Sequence, residues 1–163
     1  MKEVIVYYSK HHGNTKKLLY AIAESEGVDL IDVTAQPNAD ISGYDRIGFA
    51  SGIYFNGFAK QILVFAKEHL PEHKDVFYIY THGALKVVAL KAIHEIAIQK
   101  NCRELGEYHC LGFDTFGPFK LVGGIAKGHP TEEEIKDAVV FYKGLCEKAF
   151  QAHKQAWFSA GLH

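Results

Sequence analysis

Nowhere does this chain approach the ~18 consecutive apolar residues that a membrane-crossing helix requires. Its first residues also lack the charged leader and apolar core of a secretory signal: Met1 to Tyr8 reads as a strand and Ser9 to Thr15 is polar. A soluble, cytoplasmic protein with no membrane span is expected. Cysteine is scarce. The three present, Cys102, Cys110 and Cys146, show no CxxC spacing, which argues against a disulfide framework and leaves reduced thiols that act as small hydrophobes. A surplus of one charge is missing too. Eighteen Lys and Arg face 19 Asp and Glu, for a formal net charge of -1. Without a basic stripe to neutralise phosphates, no nucleic acid partner is expected. Ten histidines are present, but no HExxH or Cys/His spacing accompanies them, so no metal site is expected. Internal repeats, low-complexity tracts and a dividing linker are absent.

What the chain does have is alternation. Val4 to Tyr8 is a continuous apolar run, suited to a strand covered on both faces. Leu18, Leu19, Ile22 and Ala23 then recur at helical spacing, with Asn14 or Thr15 available as the cap. Further strands are predicted at Asp29 to Val33, Arg46 to Ser51, Asp75 to Thr81 and Tyr108 to Phe113. Between them lie helix faces built on Ala59, Ile62, Leu63, Ala66 and Leu70, and on Leu85, Ala89, Ala92, Ile93, Ile96 and Ala97. A last helix carries Ile135, Ala138, Val139, Tyr142, Leu145 and Ala149, opened by a Thr131/Glu134 capping box. Strands alternating with helices imply βαβ units and a parallel sheet with helices on both faces. A length of 163 residues with 48% apolar content suits one domain, expected at residues 1–150, with 151–163 as a C-terminal extension. Asp114 to Pro130 breaks the rhythm: it is long, Gly-rich and weakly periodic. It follows the fifth strand, at the carboxyl edge where open α/β sheets bind ligands.

The loop between the first strand and first helix is Ser9-Lys10-His11-His12-Gly13-Asn14-Thr15. Unpaired N–H groups and the dipole at a helix start favour an anion. Ser9 and Thr15 add hydroxyl donors, and Gly13 permits close backbone approach. With one glycine, the loop is neither a GxxxxGK[ST] phosphate loop nor a GxGxxG dinucleotide fingerprint.

Tyr8-Ser9-x-x-x-Gly13-Asn14-Thr15 after an N-terminal strand resembles the FMN phosphate loop of the flavodoxin family, with one extra residue and with His12 where Thr is common. The resemblance covers about residues 3 to 149. It implies an α/β, flavodoxin-like three-layer sandwich. The five-stranded parallel sheet would have the order 2-1-3-4-5, with non-covalent FMN at its carboxyl edge. Ser51, Gly52, Ile53, Tyr54, Phe55 and Asn56, and Thr81, His82, Gly83 and Ala84, would then meet the flavin ring, with Tyr54 preferred over Phe55 for stacking. The second of these loops has no Tyr to cover the ring, so the cover would come from Asp114 to Phe119, with Phe116 and Phe119 as candidates. His82 reads equally as a flavin-edge or a surface residue. The implied function is an electron carrier whose partners are a reductase and an acceptor protein, in a monomer or homodimer. The alternative is an FMN-dependent reductase or oxidase acting on a quinone or porphyrin-type substrate. The near-neutral charge and the missing cover Tyr favour that alternative. A phosphorylated receiver domain has similar topology but needs acids where this chain has Tyr8-Ser9 and Ala50-Ser51.

Overall fold

The computed structural model describes residues 1–10, 12–83, 90–115 and 117–159, with backbone alone at 117, 118, 146 and 148–159. In chain order the elements are β1 (Glu3–Tyr8), α1 (Asn14–Glu26), β2 (Asp29–Asp32), β3 (Arg46–Tyr54), β4 (Gly57–Phe58), α2 (Lys60–His69), β5 (Asp75–His82), α3 (Lys91–Gln99), β6 (Arg103–Leu111), a 3-10 turn (Gly117–Val122) and α4 (Glu132–Ser159). The main sheet runs β2-β1-β3-β5-β6, and every neighbouring pair is parallel. The two-residue strand β4 folds back antiparallel on the end of β3. With that hairpin set aside, the expected order 2-1-3-4-5 is the observed one.

The apolar run of β1 is central because both its faces are used. Val4 and Val6 enter a layer with Ile62 and Phe65 of α2 and Ile93 of α3. Ile5 and Tyr7 point the other way, into a layer with Leu18 and Ile22 of α1 and Ala138 and Tyr142 of α4. The period of two along a strand makes that division. Each fully buried Ile or Leu contributes roughly 1.5–3 kcal/mol. Gly48 of β3 lies under the ring of Phe77 on β5; a Cβ there would sit 2.4 Å from Phe77 Cζ. At the amino edge of the sheet, buried Arg46 pairs with Glu3 at 3.1 Å, and the Tyr142 hydroxyl donates to the same carboxylate.

Several local expectations are corrected. Gly13, with φ 64°, is the residue that flanks α1, and neither Asn14 nor Thr15 caps that helix. Asn14 and Thr15 lie inside the first turn, where their side chains bond to other elements. Asn14 Nδ2 donates to the Phe113 carbonyl at 2.8 Å, and Thr15 Oγ1 pairs with Thr81 Oγ1 at 2.9 Å. β3 runs on to Tyr54, so most of the expected loop from Ser51 is strand. Its turn is Phe55-Asn56, with φ of 49° and 68°, the left-handed pair of a tight hairpin. Leu85 and Ala89 lie outside the described residues, and α3 begins at Lys91. The irregular segment after β6 contains the 3-10 turn and one antiparallel bridge, Asp114 to Ile125. Lys127 to Pro130 includes the turn bond from the His129 N–H to the Ala126 carbonyl. The capping box forms as expected: the Glu134 N–H donates to Thr131 Oγ1, and the Thr131 N–H to Glu134 Oε2. α4 continues through Ser159. Among the described residues, no helix is long and apolar enough to cross a membrane.

Candidate functional site

A cleft of about 360 Å³ opens at the carboxyl edge of the sheet. The parallel topology brings four chain segments to it: those following β1, β3, β5 and β6. Ser9, Asn14 and Thr15 of the first segment line it. So do Gly52, Ile53, Tyr54, Phe55 and Asn56 of the hairpin, Thr81, His82 and Gly83 at the end of β5, and Asp114 beyond β6.

The first segment forms a compact helix start. His12 and Gly13 both have left-handed backbone, with φ of 52° and 64°, and the space where a Gly13 Cβ would stand is open. The Lys16 N–H reaches Ser9 Oγ at 3.4 Å. The first-turn N–H groups at Asn14 and Thr15 have no carbonyl within the helix to bond. Thr15, 1% exposed, is fixed to Thr81, which ties the start of α1 to the end of β5. Asn14 Oδ1 is buried without a hydrogen-bond partner among the described residues. An orphan acceptor in a cleft wall suits a hydroxyl-bearing ligand.

Lys10, His12, Gly13 and Ser51 do not line the cleft. Lys10 reaches its edge through its backbone, whose N–H donates to the Tyr54 hydroxyl at 3.4 Å. His12 turns toward the segment after β6, bonding Thr115 Oγ1 at 3.0 Å and packing on Phe113. Ser51 is fully buried; its Oγ accepts the Ala59 N–H at 3.0 Å and so holds the hairpin against the start of α2. His11, Ala84 and Phe116 lie outside the described residues.

Tyr54 folds back over Gly52, where a Cβ would meet its hydroxyl at 3.0 Å, and its ring meets Tyr8 edge-on at 5.7 Å. Phe55, at the hairpin tip, is 87% exposed. Gly83 lies under Asp114; a Cβ there would come 2.5 Å from Asp114 Oδ2. His82 is not a surface residue: it is 8% exposed, and its Nε2 lies 3.1 Å from His109 Nδ1. Burial pushes its proton affinity down. The neighbouring His109 charge adds to this, and Glu134 partly offsets it.

Phe119 joins the lining. Sequence reading missed Gly112 and Phe113, which also line the cleft. A Cβ at Gly112 would meet Asn14 Nδ2 at 2.8 Å, so this glycine admits the Asn14 side chain. The available signal was a glycine directly following a strand. Among the described residues no group of three or more His, Cys, Asp or Glu is placed to hold a metal ion.

The flavodoxin domain profile matches residues 5–89. An uncharacterized protein of Methanocaldococcus jannaschii is 38% identical over 147 residues, which is 89% of this chain and 98% of that one. This chain belongs to the flavodoxin domain family. Its fold is shared with the flavodoxin, WrbA-like protein of Agrobacterium tumefaciens at TM-score 0.65 and 18% identity, covering 92% of this chain and 98% of that one. A flavoprotein of Lactobacillus acidophilus, solved in complex with FMN, matches at TM-score 0.51 and 19% identity, covering 66% of this chain and 92% of that one. Both likenesses are at the level of fold.

Proposed function

We propose that this family member binds FMN in the carboxyl-edge cleft and serves as an electron-transfer protein between a reductase and an acceptor protein. The observation that carries this reading is the start of α1 at a cleft wall, with Asn14 and Thr15 in its first turn and open space over Gly13. The Asn14 and Thr15 N–H groups and the helix dipole would hold the phosphate, with the Ser9 and Thr15 hydroxyls as further donors. Thr15 needs one hydroxyl lone pair or proton for Thr81, which leaves the remainder for a ligand. Asn14 Oδ1 would accept a hydrogen bond from the sugar-alcohol chain. Gly52 and Gly83 bring bare backbone to the ring position, and Phe55 and Phe119 supply aromatic cover. Tyr54, the preferred stacking residue, lines the cleft as well, and its hydroxyl accepts the Lys10 N–H at 3.4 Å. The flavin, when bound, supplies the redox chemistry, and the protein tunes it.

The test is spectroscopic. Purified protein, or protein mixed with FMN, should show bound-flavin absorbance; failure to take up FMN would sink the proposal. Replacing Ser9 with Ala and Thr15 with Val removes two hydroxyls while largely keeping shape. At about 1.5–3 kcal/mol for each bond to a charged group, FMN affinity should fall by at least about tenfold per lost bond, and riboflavin affinity far less. Equal losses would count against this loop as the phosphate site.

A second reading, an FMN-dependent reductase of a quinone or porphyrin-type substrate, is favoured by one observation. The net charge of -1 gives little field for steering toward a basic protein partner. Turnover of a quinone by this protein alone with a reduced nicotinamide would establish the enzyme; reduction only through a separate reductase would establish the carrier.

A further inference from the structure

The mouth of the cleft carries the apolar side chains most exposed to water. Among the described residues, Leu121 at 90%, Phe55 at 87% and Val122 at 74% exceed every other large apolar residue in exposure. Phe55 lines the cleft from the hairpin tip. Leu121 and Val122 belong to the same 3-10 turn as Phe119, which also lines it. FMN binding uses Phe55 and Phe119 in the reading above, but it leaves Leu121 and Val122 without a task. Apolar side chains left in water around one opening mark a contact surface. Charge is sorted about the same opening. The chain has no acid from Val4 to Ala23, from Arg46 to Lys67 or from Thr115 to Thr131. Those stretches hold the phosphate segment, the hairpin and the 3-10 turn. Exposed Lys10, Lys60, Lys120 and Lys127 stand in them. Among the described residues, the acids at this edge of the sheet are Asp32, turned onto Thr34, Asp114, packed on Gly83, and Glu132 to Glu134, which open α4. α4 packs on the opposite face of the sheet from Phe58 of the hairpin.

We propose that this mouth docks on the surface of an anionic lipid bilayer, with Phe55, Leu121 and Val122 entering the interface and the lysines among the headgroups. The kind of cation decides for lipid over protein. Protein contacts are enriched in Arg and depleted in Lys. Both arginines of the chain, Arg46 and Arg103, begin strands at the opposite edge of the sheet, and lysine alone serves the mouth. Bilayer contacts pair Lys with Phe and Leu: the apolar tips reach the acyl boundary while the ammonium groups stay with the lipid phosphates. The attraction is to anionic headgroups and is screened by salt. Docking itself needs no cofactor. When the cleft holds FMN, docking turns the flavin toward acceptors held in the membrane.

The experiment is sedimentation of the full chain with vesicles, with and without FMN. The probes are vesicles of phosphatidylcholine alone and of phosphatidylcholine with an equal part of phosphatidylglycerol. Leu121→Ser with Val122→Ser removes apolar tips, and Lys120→Glu with Lys127→Glu reverses two charges. All four side chains are exposed, and none lines the cleft. A control pair, Lys136→Glu with Val140→Ser, makes the same kinds of change at exposed positions of α4. The unmodified protein should bind the mixed vesicles in preference to phosphatidylcholine alone, and added salt should weaken it. At about fivefold per lysine lost, the lysine pair should weaken binding by at least about tenfold. The apolar pair should do the same, and the α4 pair should not. Leu121→Trp should shift its emission to shorter wavelength on the mixed vesicles. No binding to them, binding that neither mouth pair weakens, an equal loss in the α4 pair or an unmoved emission overturns the docking. A concentration-dependent dimer that the mouth pairs abolish, without vesicle binding, overturns it too and assigns the face to a second copy. FMN uptake without vesicle binding leaves the FMN reading intact. Vesicle binding without FMN uptake keeps the docking and removes that reading.

Discussion

Polar side chains in this protein are buried where they connect elements. Thr15 and Thr81 join α1 to β5, and Asn14 joins α1 to the segment after β6. Arg46 does the same at the far edge, where it is 1% exposed beside Glu3. Removing one member of such a pair leaves a charge with much less compensation. Arg46→Ala should therefore cost about 3–5 kcal/mol in chemical denaturation, with FMN binding retained in the fraction that folds. His82 makes stability depend on pH. Its proton affinity in the folded protein lies below the ordinary value of 6.5, so the unfolded chain binds more protons in the window below that value. Stability should therefore fall as pH drops through about 6.5 and level off below the folded value. Urea denaturation at about pH 7.5 and about pH 5 should show a smaller difference for His82→Gln than for the unmodified protein. An equal difference would assign the acid sensitivity elsewhere.

At the scale of elements, two contacts set how strands and helices meet. The close approach of β3 to β5 depends on Gly48 under the Phe77 ring. Gly48→Ala forces the ring or the strand aside, and overpacking of this kind costs about 1–3 kcal/mol. The loss should appear as a lower denaturation midpoint with an unchanged slope. The start of α4 depends on the reciprocal Thr131 and Glu134 bonds, with His129 also on the Glu134 carboxylate at 2.8 Å. Burial alone would raise the proton affinity of Glu134, but the Thr131 amide and His129 outweigh it and hold the carboxyl below its usual range. Thr131→Ala should cost about 0.5–2 kcal/mol, and the effect should shrink as Glu134 is protonated in acid.

At the scale of the whole molecule, the cleft exists only because four separated segments end at one edge of the sheet. Binding there engages the ends of β1, β3, β5 and β6 together. FMN at about a hundredfold excess over its Kd should then stabilise the fold by about 2.7 kcal/mol. At about 2–4 °C per kcal/mol for a domain of this size, that is a rise in Tm of about 5–11 °C. Riboflavin at the same multiple of its own Kd should give the same rise, and at equal concentration a smaller one. A Tm indifferent to FMN would count against binding at this cleft.

What the sequence determined by itself is what local chemistry encodes. The apolar run of Val4 to Tyr8, the helical spacing from Leu18, and Thr131 with Glu134 each specify their element through neighbours a few residues away. Gly13 marked the loop because its left-handed φ belongs to the residue itself. Strand order was legible only through resemblance, because parallel pairing brings together residues far apart in the chain. The tertiary structure alone decided which polar atoms meet. Asn14 is 99 residues from Phe113, and His82 is 27 from His109. No local rule predicts that Thr15 is spent on Thr81 and not on a cap, that Ser51 braces the hairpin, or that Tyr54 lies back on Gly52. Those outcomes follow from which groups the packed sheet and helices deprive of water, since a buried polar atom must take whatever partner the packing brings within reach.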